Sequence, residues 1–154
     1  MVDPIRTRAA TEDDLAAVLD LYAQPDFDNG RVLPMSHARR LLARFAEYPD
    51  YKLYVAECDD EIVGSFALLV MDNLGHLGRP SAIVEDVVVA PHMQGRGIGR
   101  AMMAFARDIS AAKRCYKLVL SSNARRTRAH SFYQSLGFEP HGLSFALDLA
   151  SASP

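Results

Sequence analysis

The chain has 154 residues, of which 49% are apolar and 23% charged, with a formal net charge of −2 at pH 7. That length suits one ordinary domain, large enough to bury a core without a metal or disulfide staple, and the composition excludes disorder. The small net charge argues against a dedicated nucleic-acid binder, and no apolar run reaches the roughly 18–20 residues of a membrane span.

Residues 5–9 read as a short strand. Thr11 then caps a helix, with Asp14 three residues later as a near capping box. Leu15, Val18, Leu19 and Tyr22 recur at the spacing of an amphipathic helix. Residues 24–34 carry two prolines and Asp28-Asn29-Gly30, and read as a loop. Ser36 is expected to cap a second helix with Ala38, Leu41, Leu42 and Phe45 on one face. Residues 51–57 alternate into a strand, Asp59-Asp60 is a turn, and residues 61–71 form a long, nearly all-apolar strand. A hairpin loop over 72–80 leads to a β-rich run over 81–89. Ile98, Met102, Phe105 and Ile109 mark a helix, and residues 117–120 a buried strand. Ala129, Phe132, Tyr133 and Leu136 mark the last long helix, closed by Gly137 at the C′ position. Residues 138–149 are expected to complete the sheet as a hairpin around Gly142.

The expected order, β-α-α-β-β-β-α-β-α-β-β, describes an α/β (α+β) fold: a mixed, mostly antiparallel sheet of about seven strands flanked by about four helices. Residues 1–149 read as one domain and 150–154 as a frayed tail. The first residues show no apolar core or small-residue cleavage site, so no signal peptide is expected there. Cys58 and Cys115 form no CxxC pair and no zinc-ligand spacing. The expectation is a reduced, cytoplasmic setting with no metal.

The chemistry concentrates after the run over 81–89. Gly95, Gly97 and Gly99 leave the backbone free of Cβ atoms where a helix begins, so its amides can converge on an anion. Arg96 and Arg100 add mobile positive charge, which suits a pyrophosphate. A dinucleotide fingerprint starting at Gly95 fails because its last position is Arg100, and no GxxxxGK[ST] run exists. Just upstream, Glu85 and Asp86 are consecutive acids in an apolar strand. Neighbouring strand side chains point to opposite faces, so one of them can face a cleft and act as a base. An exposed edge carboxylate or a salt bridge to an arginine is the plainer alternative.

The pattern [QR]xxGx[GA] does fit, at Gln94, Gly97 and Gly99. With it come the strand 115–120, the Ser122-Asn123 turn and the run Phe132-Tyr133-Gln134-Ser135-Leu136-Gly137-Phe138. On these motifs the chain resembles the GNAT superfamily of N-acetyltransferases, over roughly residues 51–149. The resemblance implies acetyl-CoA as cofactor. Its diphosphate would sit in the loop Gln94-Gly95-Arg96-Gly97-Ile98-Gly99-Arg100, and its pantetheine arm would pair with the main chain of Val87, Val88 and Val89. Tyr133 would be the general acid that returns a proton to the departing thiolate, although it also lies on an apolar helix stripe. Asn123 would contact the cofactor arm or position this helix, unless it is only a turn residue.

The implied activity is direct acetyl transfer to a primary amine within a ternary complex. Similarity to glucosamine-phosphate and aminoalkylphosphonate acetyltransferases makes a small amine the leading acceptor, one that can carry an anionic group. A protein or peptide amine, or a non-catalytic acyl-CoA sensor, are the alternatives. No nucleic acid or membrane partner is expected, and a homodimer stays open.

Overall fold

The computed structural model describes residues 4–150. They fall into two compact units that divide after Leu120. The first unit contains β1 (Arg6–Ala9), α1 (Leu15–Tyr22), α2 (Met35–Phe45), β2 (Tyr51–Cys58), β3 (Glu61–Met71), β4 (Ser81–Val89), α3 (Ile98–Ala112) and β5 (Lys117–Leu120). The second contains α4 (Thr127–Ser135) and an extended segment after it.

In the first unit the five strands lie in chain order, β1-β2-β3-β4-β5. The first four pair antiparallel, and β5 joins β4 in parallel. The β2–β3 hairpin turns on Asp59 and Asp60, both left-handed at φ 51° and 60°. Two consecutive positive-φ residues match the right-handed twist of the flanking strands, and aspartate tolerates that region better than most residues.

Strand alternation sorts the core into two layers. Leu53, Val55 and Ala67 face α1 and α2, where they bury Leu15, Val18, Leu19 and Ala38. From the other face, Tyr54 and Phe66 stack 5.2 Å apart, and Phe105 of α3 meets Tyr54 edge-on at 5.3 Å. Ile98, Met102, Met103 and Ala106 bury the inner stripe of α3. Gly64 is what lets this helix approach β3. A Cβ there would lie 2.9 Å from the Met102 sulfur and 3.0 Å from Ile98 Cγ2.

At the start of the chain, Arg8 on β1 clamps Asp14 through two hydrogen bonds of 2.7 and 2.9 Å and reaches Glu57 on β2 at 3.0 Å. The Thr11 amide donates to the same Asp14 carboxylate at 2.7 Å. These donors hold the Asp14 carboxyl below its ordinary range; the Arg8 hydrogen bond is the largest cause.

Four expectations need correction. Residues 138–149 form no strand, so the described sheet has five strands rather than about seven. Alternation specifies a face to bury, but it does not specify which edge supplies the pairing partner. Helix α2 is capped by Pro34 rather than Ser36, because the Pro34 carbonyl accepts from the amides of His37 (2.9 Å) and Ala38 (3.0 Å). Thr11 opens a single 3₁₀ turn, Glu12–Asp14, before the α-helix begins at Leu15. Strand β5 is half-buried throughout instead of buried. Of the expected frayed tail, residues 151–154 lie outside the described residues. Among the described residues, no helix is long and apolar enough to cross a membrane.

Candidate functional site

Strand β4 organises the candidate site. Its first four residues, Ser81 to Val84, pair with Lys117 to Leu120, and β5 then ends. From Glu85 to Val89 the β5-side edge of β4 therefore has no partner in the sheet. On the other side β4 stays paired with β3 through Val88 and Val89, opposite Ser65 and Gly64. An open stretch of edge beside a continuous sheet offers main-chain donors and acceptors to an extended ligand. The expected Val87, Val88 and Val89 lie on this stretch; Val88 is buried, so its main chain is what it can offer.

The same stretch is bent. Ala67 pairs with Glu85, but Ser65 pairs with Val88, so Asp86 and Val87 oppose the single residue Phe66. This is a β-bulge, and its first residue, Asp86, has φ 54°. Holding a residue with a Cβ in the left-handed region costs roughly 1–2 kcal/mol. Such strain persists only where surrounding structure enforces it, and bulges of this kind re-aim side chains. Simple alternation thus breaks at Asp86, and both Glu85 and Asp86 are exposed.

Although both acids reach solvent, their surroundings disfavour ionisation. Burial, followed by the charge of Asp28, raises the Asp86 carboxyl; burial, followed by Asp86, raises that of Glu85. Tyr22 at the end of α1 is also raised, first by burial and then by the Asp86 charge, with the Ser65 hydroxyl opposing. Burial, then Asp86 and Glu85, raise Tyr51 at the start of β2. Tyr22, Asp28 and Tyr51 therefore lie within electrostatic range of Asp86, and sequence reasoning missed all three. Tyr22 reads as one more residue of an apolar stripe, Asp28 as a turn former and Tyr51 as a strand start. For the two tyrosines the available signal was a hydroxyl on an otherwise apolar face. The loop carrying Asp28 is fastened locally. Phe27 stacks on Tyr22 at 4.6 Å, and Gln24 Nε2 donates to the Val89 carbonyl at 3.1 Å.

Beyond β4, Pro91–Met93 makes one 3₁₀ turn and the glycine loop leads into α3. Gly95 and Gly97 are left-handed, at φ 76° and 88°. Gly97 is the N-cap of α3, so the first amides of a fifteen-residue helix begin here without intrahelical acceptors. A Cβ at Gly95 or Gly97 would meet no described atom within 4 Å, so the backbone surface is open. Gln94, Arg96 and Arg100 are exposed around it; Ile98 is buried and Gly99 lies inside the helix. Open amides, a helix N-terminus and two guanidinium groups fit a pyrophosphate.

In the second unit, Asn123 makes a turn. Its Oδ1 accepts from the Arg125 amide at 2.9 Å, and its carbonyl accepts from His130 Nε2 at 2.8 Å. The adjacent Ser122 hydroxyl is buried without a hydrogen-bond partner among the described residues. An orphaned hydroxyl of this kind is often completed by a ligand or water, and the sequence names Ser122 only as part of the Ser122-Asn123 turn. Tyr133 lies on α4 and packs against Phe132 and Phe138 at 5.1 and 5.8 Å. Burial raises its hydroxyl above the ordinary phenol range, with Arg126 opposing, so it stays protonated at neutral pH.

The sequence pattern of the acetyltransferase (GNAT) domain matches residues 49–140. The chain is 36% identical over 98 residues to a glucosamine 6-phosphate N-acetyltransferase of Trypanosoma brucei brucei, covering 64% of this chain and 65% of that protein. It is 29% identical over 97 residues to an aminoalkylphosphonate N-acetyltransferase of Salmonella typhimurium, covering 63% of this chain and 62% of the other. In both cases the match spans slightly less than two thirds of the relative's length. The crystal structure of a Trypanosoma brucei acetyltransferase superposes with a TM-score of 0.82 at 29% identity, covering 95% of this chain and 100% of that one.

Proposed function

The chain belongs to the GNAT acetyltransferase family, and from that premise we propose that it is an N-acetyltransferase moving an acetyl group from acetyl-CoA to a primary amine of a small molecule. The observation that carries this reading is the glycine loop at the head of α3. Two left-handed glycines expose main-chain amides directly after a strand whose edge is open from Glu85 to Val89. The diphosphate is assigned to the amides of residues 94–100 with Arg96 and Arg100. The pantetheine arm is assigned to the main chain of Val87, Val88 and Val89, and Asn123 is given the family role of contacting that arm or positioning α4.

Acetyl-CoA, when bound, supplies an acyl group activated as a thioester. The chain's own residues must then manage two protons. An alkyl ammonium with a pKa near ~10 is mostly protonated at pH 7 and cannot attack. Asp86 or Glu85 accepts its proton, directly or through a water. Their raised carboxyls are stronger bases than ordinary surface acids. The Tyr133 hydroxyl gives its proton to the departing sulfur. Attack is direct, within a ternary complex, because Cys58 is buried in β2 and Cys115 lies outside both the glycine loop and the bulge.

A small amine is favoured as acceptor by the named activities of the two curated relatives, both of which act on small amines. A cytoplasmic setting belongs to the same reading. Calorimetric titration tests the cofactor assignment. Acetyl-CoA should bind saturably, and a pantetheine analogue lacking the diphosphate should bind at least tenfold more weakly. Equal affinities would remove the glycine loop from the assignment.

A further inference from the structure

One side chain of the first unit already occupies the open edge of β4. In the antiparallel pairing of β3 with β4, Val89 stands opposite Gly64, and the next residue, Ala90, donates its amide to the Val63 carbonyl at 2.8 Å. Residues along such a ladder alternate between bonding to the paired strand and facing away from it. Ala90 bonds to the β3 side, so the Val89 carbonyl faces away, toward the edge that β5 leaves without a partner. There it accepts a hydrogen bond from Gln24 Nε2 at 3.1 Å, a contact that joins positions 65 residues apart.

This contact is separate from the turn that shapes its own loop. The turn is built from main chain. The amides of Phe27 and Asn29 both donate to the Gln24 carbonyl at 3.0 Å, that of Asp28 to Tyr22 at 2.9 Å and that of Gly30 to Ala23 at 2.8 Å. The Tyr22–Phe27 stack packs the same turn. The Gln24 side chain is half-buried and can leave Val89 by rotating about its own bonds, with the turn kept.

What that side chain supplies is one amide N–H to a strand carbonyl. A pantetheine arm carries two amides, so it offers the same donor to the same acceptor. The carbonyl needs a donor whether or not a cofactor is bound, and a bare strand edge invites pairing with other chains.

We propose that Gln24 is a stand-in for the cofactor arm: its side-chain amide caps the Val89 carbonyl in the free protein and yields that carbonyl when acetyl-CoA binds. The inference rests on the assignment of the pantetheine arm to residues 87–89. It gives Gln24 a distinctive sign. Removing a residue that supports a ligand weakens binding, whereas removing a stand-in takes away a competitor and strengthens it.

Gln24→Met tests this, because methionine keeps an unbranched side chain of similar length and has no N–H to donate. Calorimetric titration with acetyl-CoA should give a Kd about two- to tenfold lower than wild type, the worth of one hydrogen bond. Thermal melting gives a second readout. Without cofactor the variant should melt below wild type, since Val89 has lost its donor. At one saturating acetyl-CoA concentration the difference should close, since the arm serves Val89 in both proteins. Arg31→Met is the control. Arg31 is exposed on the same loop and its Nε donates to the Asp28 carbonyl at 3.2 Å, so this change should leave Kd unaltered. A folded Gln24→Met protein with an equal or higher Kd, or a melting difference that persists at saturation, would overturn the proposal. A wild-type chain that binds no acetyl-CoA would instead overturn the cofactor assignment itself, and the stand-in with it.

Discussion

Replacing Gly97 by alanine separates backbone strain from ligand contact. Gly97 has φ 88° and ψ 5°, and a Cβ there meets no described atom within 4 Å. The folded chain therefore bears only the left-handed penalty, about 1–2 kcal/mol. Against a typical stability of roughly 5–15 kcal/mol the variant stays folded, and at about 2–4 °C per kcal/mol its Tm falls by about 2–8 °C. The cofactor should suffer more. The added methyl would occupy the surface assigned to the diphosphate and spoil a hydrogen bond to a charged oxygen, worth about 1.5–3 kcal/mol. That corresponds to a rise in acetyl-CoA Kd of about 10- to 150-fold. Gly64→Ala is the matched control. Its Cβ would press on Met102 and Ile98, so stability falls by about 1–3 kcal/mol while cofactor affinity holds. Calorimetry and thermal melting on both variants read the two effects. A Gly97→Ala protein with a lowered Tm and wild-type Kd would refute the reasoning.

Other expectations follow from the acids, the phenol and the Arg8 clamp. Whichever of Glu85→Gln and Asp86→Asn removes the base should lower kcat/KM by about 10²–10⁴-fold and flatten the acid limb of the pH profile; wild-type profiles in both would assign the proton to water or a backbone carbonyl. Asp86 also carries a stability signature. Its carboxyl is raised above 3.8, so the folded chain loses stability as pH rises through that raised value. Asp86→Asn should therefore raise Tm at pH 7, with the gain shrinking toward pH 3.8. For Tyr133→Phe, which keeps the ring and its packing, kcat should fall by about 10²–10⁴-fold with acetyl-CoA affinity nearly unchanged. Steady-state kinetics beside calorimetry test this, and an unchanged kcat would remove the phenol from the mechanism. Asp14 behaves oppositely to Asp86. Its carboxyl is lowered from 3.8, so its contribution is present above that pH and is lost as pH falls through the lowered value. Melting curves of Asp14→Asn should show a loss of about 1.5–3 kcal/mol at pH 7 that disappears in acid.

How far the sequence reads depends on whether the signal is local. Strands Glu61–Met71, Ser81–Val89 and Lys117–Leu120 end where the apolar runs end, because turn residues bound each one. The Asp59-Asp60 turn, the helix starting at Ile98 and the left-handed Gly137 were equally legible, each from two or three adjacent residues. Family membership was legible from the glycine loop and the Phe132–Phe138 run together. The bulge at Asp86 was not. It depends on how β3 and β4 register across the sheet, and aspartate carries no left-handed signature as strong as glycine's. Tyr22 and Tyr51 were hidden for a related reason. Both fit their local apolar patterns, and only tertiary packing brings them within range of the charge of Asp86. The pairing of residues 138–149 was overestimated because a period-two pattern states a need for a partner without naming one.

The most direct measurement follows free thiol released from acetyl-CoA while a panel of amines is offered to the purified chain. The panel should include aminosugar phosphates, aminoalkylphosphonates, aminoglycosides and a lysine-containing peptide. Acetyl transfer to a small amine predicts saturable thiol release that requires one of the small primary amines, with the acetylated amine formed in equal amount. Thiol release only with the peptide, or none with any amine from a chain that binds acetyl-CoA, would contradict it.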